Sequence, residues 1–368
     1  YSSKPDDSSI QELLTDNFGN RFVNPIYPYS DTFCHPWRVS YDRWWTHHPE
    51  WTVSKESDDD YCFSQMKPST QSQLFRTLYD IQFRGNCDQV ISKKMMSSGW
   101  GVDMANLVDG LLAANELKRP FQPTQDPWHY ANDKKNASNA VCPQKNMNCY
   151  FLPLSRCDPN EQRVYPGTFY YKFQPKLDEM DVQYLLDYIT RPQTWLRKEV
   201  YDFSKTINVT SPCTVMHVRR GDVVLHKDWA RKYYAIEEYM TACTKITNDI
   251  LLLTDDANAV EEARAKFPDY NWITIDRQRF RGNEGGWENH IPSNNAKQEV
   301  VVLLSIFRLV KQCNVFVHSR SNLAEYLAGI MTRAQNRRLI RVDLNKGHSD
   351  RQIYSANNAE TAQVSRTA

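Results

Sequence analysis

Three short stretches of this 368-residue chain hold side chains that could do chemistry together. They are His217-Val218-Arg219-Arg220-Gly221-Asp222, Thr254-Asp255-Asp256 and His318-Ser319-Arg320-Ser321-Asn322. Each follows a short apolar run, and the third leads into a helical pattern. Arginine offers forked donors to phosphate oxygens, serine and helix-start N–H groups add more, and carboxylates suit the edges of a base or ribose. A nucleoside diphosphate is the ligand this mixture fits. Alternation along a strand puts His217 and Arg219 on one face. Any one stretch alone could be a surface ion pair on an exposed loop. Three at adjacent strand ends argue for a site.

A weaker phosphate-loop candidate is Gly99-Trp100-Gly101, a turn before a helix that lacks both the full dinucleotide fingerprint and a P-loop lysine. No H-E-x-x-H and no Cys/His ligand spacing occurs, and the adjacent pair Asp255-Asp256 need not chelate. With arginine present to neutralise a departing diphosphate, the expected chemistry needs no metal and no further cofactor.

These residues must be positioned by regular elements, and the C-terminal half supplies them. Apolar runs predict strands at 214–218, 250–254, 271–275, 315–318 and 339–342. Helical spacing between them predicts helices at 234–246, 258–267, 295–312 and 322–333, the third N-capped by Ser293. Strands alternating with helices make an α/β, doubly wound parallel sheet, which binds ligands beyond the carboxyl ends of its strands. The N-terminal half is less regular. It predicts helices at 71–80, at 103–117 after the glycine turn, at 177–189 and at 193–204 behind Pro192, with loop-heavy sequence at 120–175. The division expected is an irregular extension (1–70), an N-terminal lobe (71–211), a Rossmann-like lobe (212–350) and a flexible tail (351–368).

Composition narrows the partners. Lys+Arg number 45 against 44 Asp+Glu, a net charge of +1, so no bulk field draws nucleic acid or a membrane surface. The longest aliphatic run, 300–304, is far too short to span a bilayer. Nine cysteines, concentrated in the N-terminal half, and two sequons, Asn136-Ala-Ser and Asn208-Val-Thr, favour a disulfide-permissive secretory compartment. The odd count leaves at least one cysteine unpaired, and Cys213 or Cys313, beside apolar strands, is expected as a buried structural thiol. The first residue is Tyr, which fits a lumenal segment separated from an N-terminal membrane anchor.

His217-Val-Arg-Arg-Gly-Asp222 followed by Ile236-Glu-Glu-Tyr-Met240 resembles the first signature of the α1,6-fucosyltransferases, the core N-glycan enzymes and their bacterial nodulation relatives. Other blocks resemble the same family in the same order: Gly99-Trp-Gly101, Trp128-His-Tyr130, Tyr188-Ile-Thr-Arg-Pro-Gln-Thr-Trp-Leu196, Leu253-Thr-Asp-Asp256 with Lys266-Phe-Pro-Asp-Tyr270, and 317–322. The resemblance implies a two-domain GT-B glycosyltransferase of the Golgi lumen that uses GDP-fucose without a metal and inverts the anomeric centre. Its partners would be a GDP-sugar donor and a glycan or glycoprotein acceptor.

The resemblance also implies roles. Arg219 would hold the diphosphate, His217 the guanine and Tyr130 the ribose. Ser321, Asn322, Gly99 and Gly101 would meet phosphate, while Asp222, Asp255 and Asp256 organise the site and Arg220 stands behind Arg219. Two of the chain's departures from the family fall on the site itself. Where the family has a glutamate proposed as general base stands Lys227, flanked by His226 and Asp228. His226 has the pKa best suited to accept a proton near neutrality, with Asp228 second. The guanine-binding aspartate on the long helix is replaced by Ser305. A transferase for another GDP-sugar, or a non-catalytic glycan- or nucleotide-binding relative, therefore stays open.

Overall fold

The computed structural model describes residues 77–93, 99–131, 146–157 and 185–192, each with short gaps, then 194–221, 224, 232–281, 295–334 and 339–346. The expected extension 1–70, the tail 351–368, and most of 132–184 lie outside the described residues. Two compact units emerge. The first holds 103–132 and 136–199 with the preceding chain to Ser97, and the second runs from Val200 and takes in Ser98–Val102.

The first unit contains β1 (Ile91–Lys93), β2 (Phe121–Pro123) and α1 (Trp100–Leu117) from Asp103 onward, the first turn of α1 belonging to the second unit; the two strands pair in parallel. Neither strand was predicted, because three residues, ending in proline in β2, are too few to show an alternation. Helix α1 is apolar on most sides and is buried accordingly. It begins at Trp100, so Gly101 lies inside its first turn rather than ahead of it. Gly110 lets the helix settle on Phe121, since a Cβ there would lie 2.3 Å from the ring. Gln82 extends the small sheet by pairing its amide with the Phe121 backbone at 2.6 and 2.8 Å. A disulfide joins Cys87 to Cys157.

The second unit is built on β3 (Cys213–Val218), β4 (Asp249–Thr254), β5 (Asn271–Thr274), β6 (Val315–His318) and β7 (Ile340–Asp343). All pair in parallel in the order β5-β4-β3-β6-β7. Helices α3 (Ile236–Ala242), α4 (Ala257–Lys266), α5 (Ala296–Leu309) and α6 (Asn322–Ala334) complete it, together with the part of α2 (Thr194–Lys205) from Val200 onward. Strands β3, β4 and β6 are covered on both faces, which is why their sequences are unbroken apolar runs rather than alternating ones. Met216, Val218, Ile250, Leu252, Val315 and Val317 form the core beneath α3 and α4.

Three expectations need correction. Asn295, not Ser293, caps α5, its side chain accepting from the Gln298 N–H at 3.0 Å. Helix α3 stops at Ala242 because Cys243 turns extended, φ −128°. Cys213 and Cys313 are not thiols but a disulfide joining residues 100 apart. No helix among the described residues is long and apolar enough to cross a membrane.

Candidate active site

Strand order reverses between β3 and β6: from β3 the chain moves outward to β4 and β5, then returns to β6 on the other side. Loops leaving the carboxyl ends of those two strands diverge, and ligands of open α/β sheets bind in the crevice between them. Register puts His217 beside His318 at this point.

The two loops are tied across the crevice. The Ser319 N–H donates to the His217 carbonyl at 3.2 Å, and the Arg219 N–H donates to Ser319 Oγ at 3.2 Å. Burial raises the hydroxyl pKa of Tyr239, which lies in the core beside this crevice. Beyond Arg219 the chain turns sharply at Gly221, whose φ of 72° suits glycine.

Arg219 and Arg220, consecutive in sequence, have opposite surroundings. The Arg219 side chain keeps 17% exposure, donates to the Arg220 carbonyl at 2.9 Å and forms an ion pair with Asp255. Arg220 is 1% exposed. Its guanidinium donates to the Tyr234 carbonyl at 2.7 and 3.1 Å, to Asp256 at 3.2 Å and to Glu262 at 2.9 Å, with the Tyr233 ring 4.3 Å away. Those bonds use the donors a phosphate would need, so Arg220 braces the loops from below.

The carboxylates are committed to the same bracing. Asp255 accepts the Arg220 N–H at 3.1 Å, and Asp256 caps α4 through the Asn258 N–H at 3.0 Å. Glu262 also takes the first N–H of α3, from Ile236, at 2.8 Å. Sequence reading missed Glu262; a carboxylate six residues after the cap, on the sheet-facing side of α4, was its only signal.

On the β6 side, His318 is fully buried, stacked on Phe316 with centroids 4.6 Å apart. Arg341 donates from Nε to His318 Nε2 at 2.9 Å, so the imidazole proton sits on Nδ1 and donates to the Ser319 carbonyl at 3.2 Å. Burial, with the Arg341 charge beside it, pulls the His318 pKa down to about 4. Among the described residues, His318, Glu325 and Asp343 are the group whose ligand atoms converge as for a metal. Arg341 already fills that role as a cation, pairing with Glu325 at 2.6 Å. The sequence signal for Arg341 was a lone basic residue inside an otherwise apolar strand.

The loop then enters α6, where Ser321 Oγ accepts the Leu323 N–H at 3.1 Å. Gly101 lies against this helix start: a Cβ on it would stand 2.7 Å from Asn322, whereas one on Gly99 would meet nothing within 4 Å. Trp100 packs on Phe307, and Phe307 on Tyr326. The structure thus brings together His217, Arg219, Asp255, Ser321 and Asn322, with Gly101 against the helix start and Gly99 in open space.

Ser305 and Tyr130 have other surroundings. Ser305 is fully buried, its hydroxyl donating to the Val301 carbonyl at 2.7 Å, so it faces helix packing. Tyr130 belongs to the first unit, 5.0 Å from Trp128 between ring centroids, and Trp128 donates to buried Asp103 at 2.9 Å. Asp222, His226 and Asp228 lie outside the described residues.

The chain was compared with known proteins. Residues 180–279 match a family model described as alpha-(1,6)-fucosyltransferase N- and catalytic domains. The Drosophila melanogaster alpha-(1,6)-fucosyltransferase is 31% identical over 235 residues, covering 54% of this chain and 38% of that protein. This chain therefore spans well under half the length of that relative. Among solved structures, the fucosyltransferase NodZ from Bradyrhizobium is similar at 13% identity and TM-score 0.40, over 65% of this chain and 91% of that one. A fucosyltransferase of Arabidopsis thaliana in complex with GDP is similar at 13% identity and TM-score 0.42, over 93% and 85%. The matched segment 180–279 contains β3, Arg219, Asp255 and the α3–α4 brace, so Arg219 and its supports lie in the part of the chain that is similar to the α1,6-fucosyltransferases.

Proposed function

We propose that this chain is the catalytic part of an inverting, metal-independent glycosyltransferase of GT-B type that moves fucose from GDP-fucose to a glycan hydroxyl. The acceptor position that the resemblance favours is O6 of an N-glycan GlcNAc. The observation that carries the reading is Arg219: a partly exposed guanidinium held by Asp255 at the switch point of a parallel sheet, in the segment that matches the family model.

In the proposed reaction the acceptor oxygen attacks C1 of fucose on the face opposite GDP. The bond from C1 to the β-phosphate oxygen breaks, and its electron pair stays on the diphosphate. Arg219 and the N–H groups at the start of α6 stabilise that charge as it develops. The acceptor proton passes to His226 or Asp228. Asp255 holds the Arg219 fork before the donor arrives, so less side-chain freedom is lost on binding. His217, buried beside the crevice, is the guanine contact.

Ser305 favours a second reading. Its hydroxyl is spent within its own helix, leaving no carboxylate there to read guanine. Base selectivity would then rest on His217, and a different GDP-sugar or a non-catalytic relative becomes the competitor.

One assay separates these readings: GDP release on a GlcNAc-terminated glycopeptide, across a panel of GDP-sugars, with and without EDTA. Turnover with GDP-fucose that survives EDTA is expected. Loss in EDTA overturns metal independence, and GDP binding without turnover on any donor overturns the transferase reading. The disulfides support a secretory-pathway location, the Golgi lumen being where such acceptors are processed.

A further inference from the structure

We propose that Asn208 is an N-glycosylation site, carrying its oligosaccharide on the edge of the sheet opposite the donor-binding edge. The sequon Asn208-Val209-Thr210 lies between α2 and β3. Helix α2 closes with Thr206 N–H to Phe203 and Ile207 N–H to Ser204, at 3.0 and 3.3 Å, after which the chain has no regular structure until Cys213. Asn208 and Thr210 are both exposed, while Val209 between them is buried and anchors the segment. Neither exposed side chain makes a hydrogen bond among the described residues. The amide that must react and the hydroxyl that must be recognised therefore stand together in water on irregular backbone, as glycosylation requires.

A second observation supplies the compartment. Cys213, five residues on, is disulfide-bonded to Cys313. A chain that reaches this state has passed through an oxidising lumen, where sequons meet a lipid-linked oligosaccharide diphosphate. In the transfer, Asn208 Nδ2 bonds to C1 of the first sugar. The bond from that carbon to the lipid diphosphate breaks, the diphosphate takes the electron pair, and Nδ2 loses a proton.

Position makes the modification compatible with the site. Asn208 precedes the first residue of β3, and Arg219 follows the last. Six residues of strand at about 3.3 Å each put roughly 20 Å between the two edges. The inference rests on the secretory-compartment reading and is independent of which sugar the chain transfers.

The test uses protein secreted from eukaryotic cells, digested with trypsin without reduction. The peptide 206–219 carries both Asn208 and Cys213, and stays joined to the peptide holding Cys313. Treatment with N-glycosidase in heavy-oxygen water should convert Asn208 to labelled Asp in the linked pair. Asn208→Gln and Thr210→Ala should abolish the label, Thr210→Ser should keep it, and GDP affinity should change less than twofold in all three. A linked pair with unmodified Asn208 overturns the site. Unlinked thiols with unmodified Asn208 overturn the compartment on which it rests, whatever the fate of the transferase assay.

Discussion

Two consecutive arginines with opposite surroundings make the sharpest residue-level predictions. Arg219 is half of an ion pair that keeps some access to solvent, and Arg220 is a buried cation between two carboxylates. Arg219→Ala should cut GDP-sugar turnover by about 100- to 1000-fold, the usual loss when a donor to developing charge is removed. Its thermal melt should be unchanged. Arg219→Lys should recover little, since a single ammonium cannot reproduce the fork. Arg220→Met should do the reverse. It leaves Asp256 and Glu262 without their shared cation, which typically costs about 3–5 kcal/mol and is read in a urea midpoint. His318 adds a pH dependence. Its folded pKa of about 4 lies below the ordinary 6.5, so as pH falls from about 6.5 toward 4 the unfolded chain binds a proton that the folded chain refuses. Stability contributed by the neutral ring is whole above pH 6.5 and is lost over that window. The difference in urea midpoint between pH 7 and pH 4.5 should shrink in His318→Gln, which cannot titrate there.

At the scale of elements, the contact of α1's first turn with the start of α6 is the joint to test. Gly101→Ala should weaken GDP binding and cost about 1–3 kcal/mol, because a methyl must displace the Asn322 backbone. Gly99→Ala, with open space around it, is the internal control and should be neutral in both measurements. The central strands were legible because burial on both faces leaves an unbroken apolar run; β3, β4 and β6 lie within a residue of their predicted spans. Element ends were less legible. Whether α3 continued past Ala242 depended on backbone extension at Cys243, and whether Ser293 or Asn295 capped α5 depended on geometry that two polar residues alike could satisfy. The strand-end cluster was legible as a set, since each stretch followed a strand. Its division of labour was not, because Arg219 and Arg220 differ only in which way the turn at Gly221 aims them.

For the whole molecule, the bond from Cys213 to Cys313 encloses β3, β4, β5 and α5 in one covalent loop. Closing a loop of that length stabilises by about 4–5 kcal/mol through the unfolded chain. Replacing both cysteines with alanine should lower the melting temperature by several degrees yet leave GDP affinity intact below the transition, since the bond lies at the far edge from the crevice. Sequence could not announce this bond: its partners are distant in the chain and each sits beside a strand that looks like ordinary core. The same bond has a practical meaning. Thr214 pairs with Val315, and the Asn314 N–H reaches the Cys213 carbonyl at 3.2 Å, so the two sulfurs meet only when β6 has docked on β3 in the right register. A slip of one residue would turn β6 inside out and carry Cys313 away from its partner. Oxidation at this position therefore certifies topology. The oxidised fraction on a non-reducing gel counts the molecules whose central strands were assembled correctly, before any assay of activity is run.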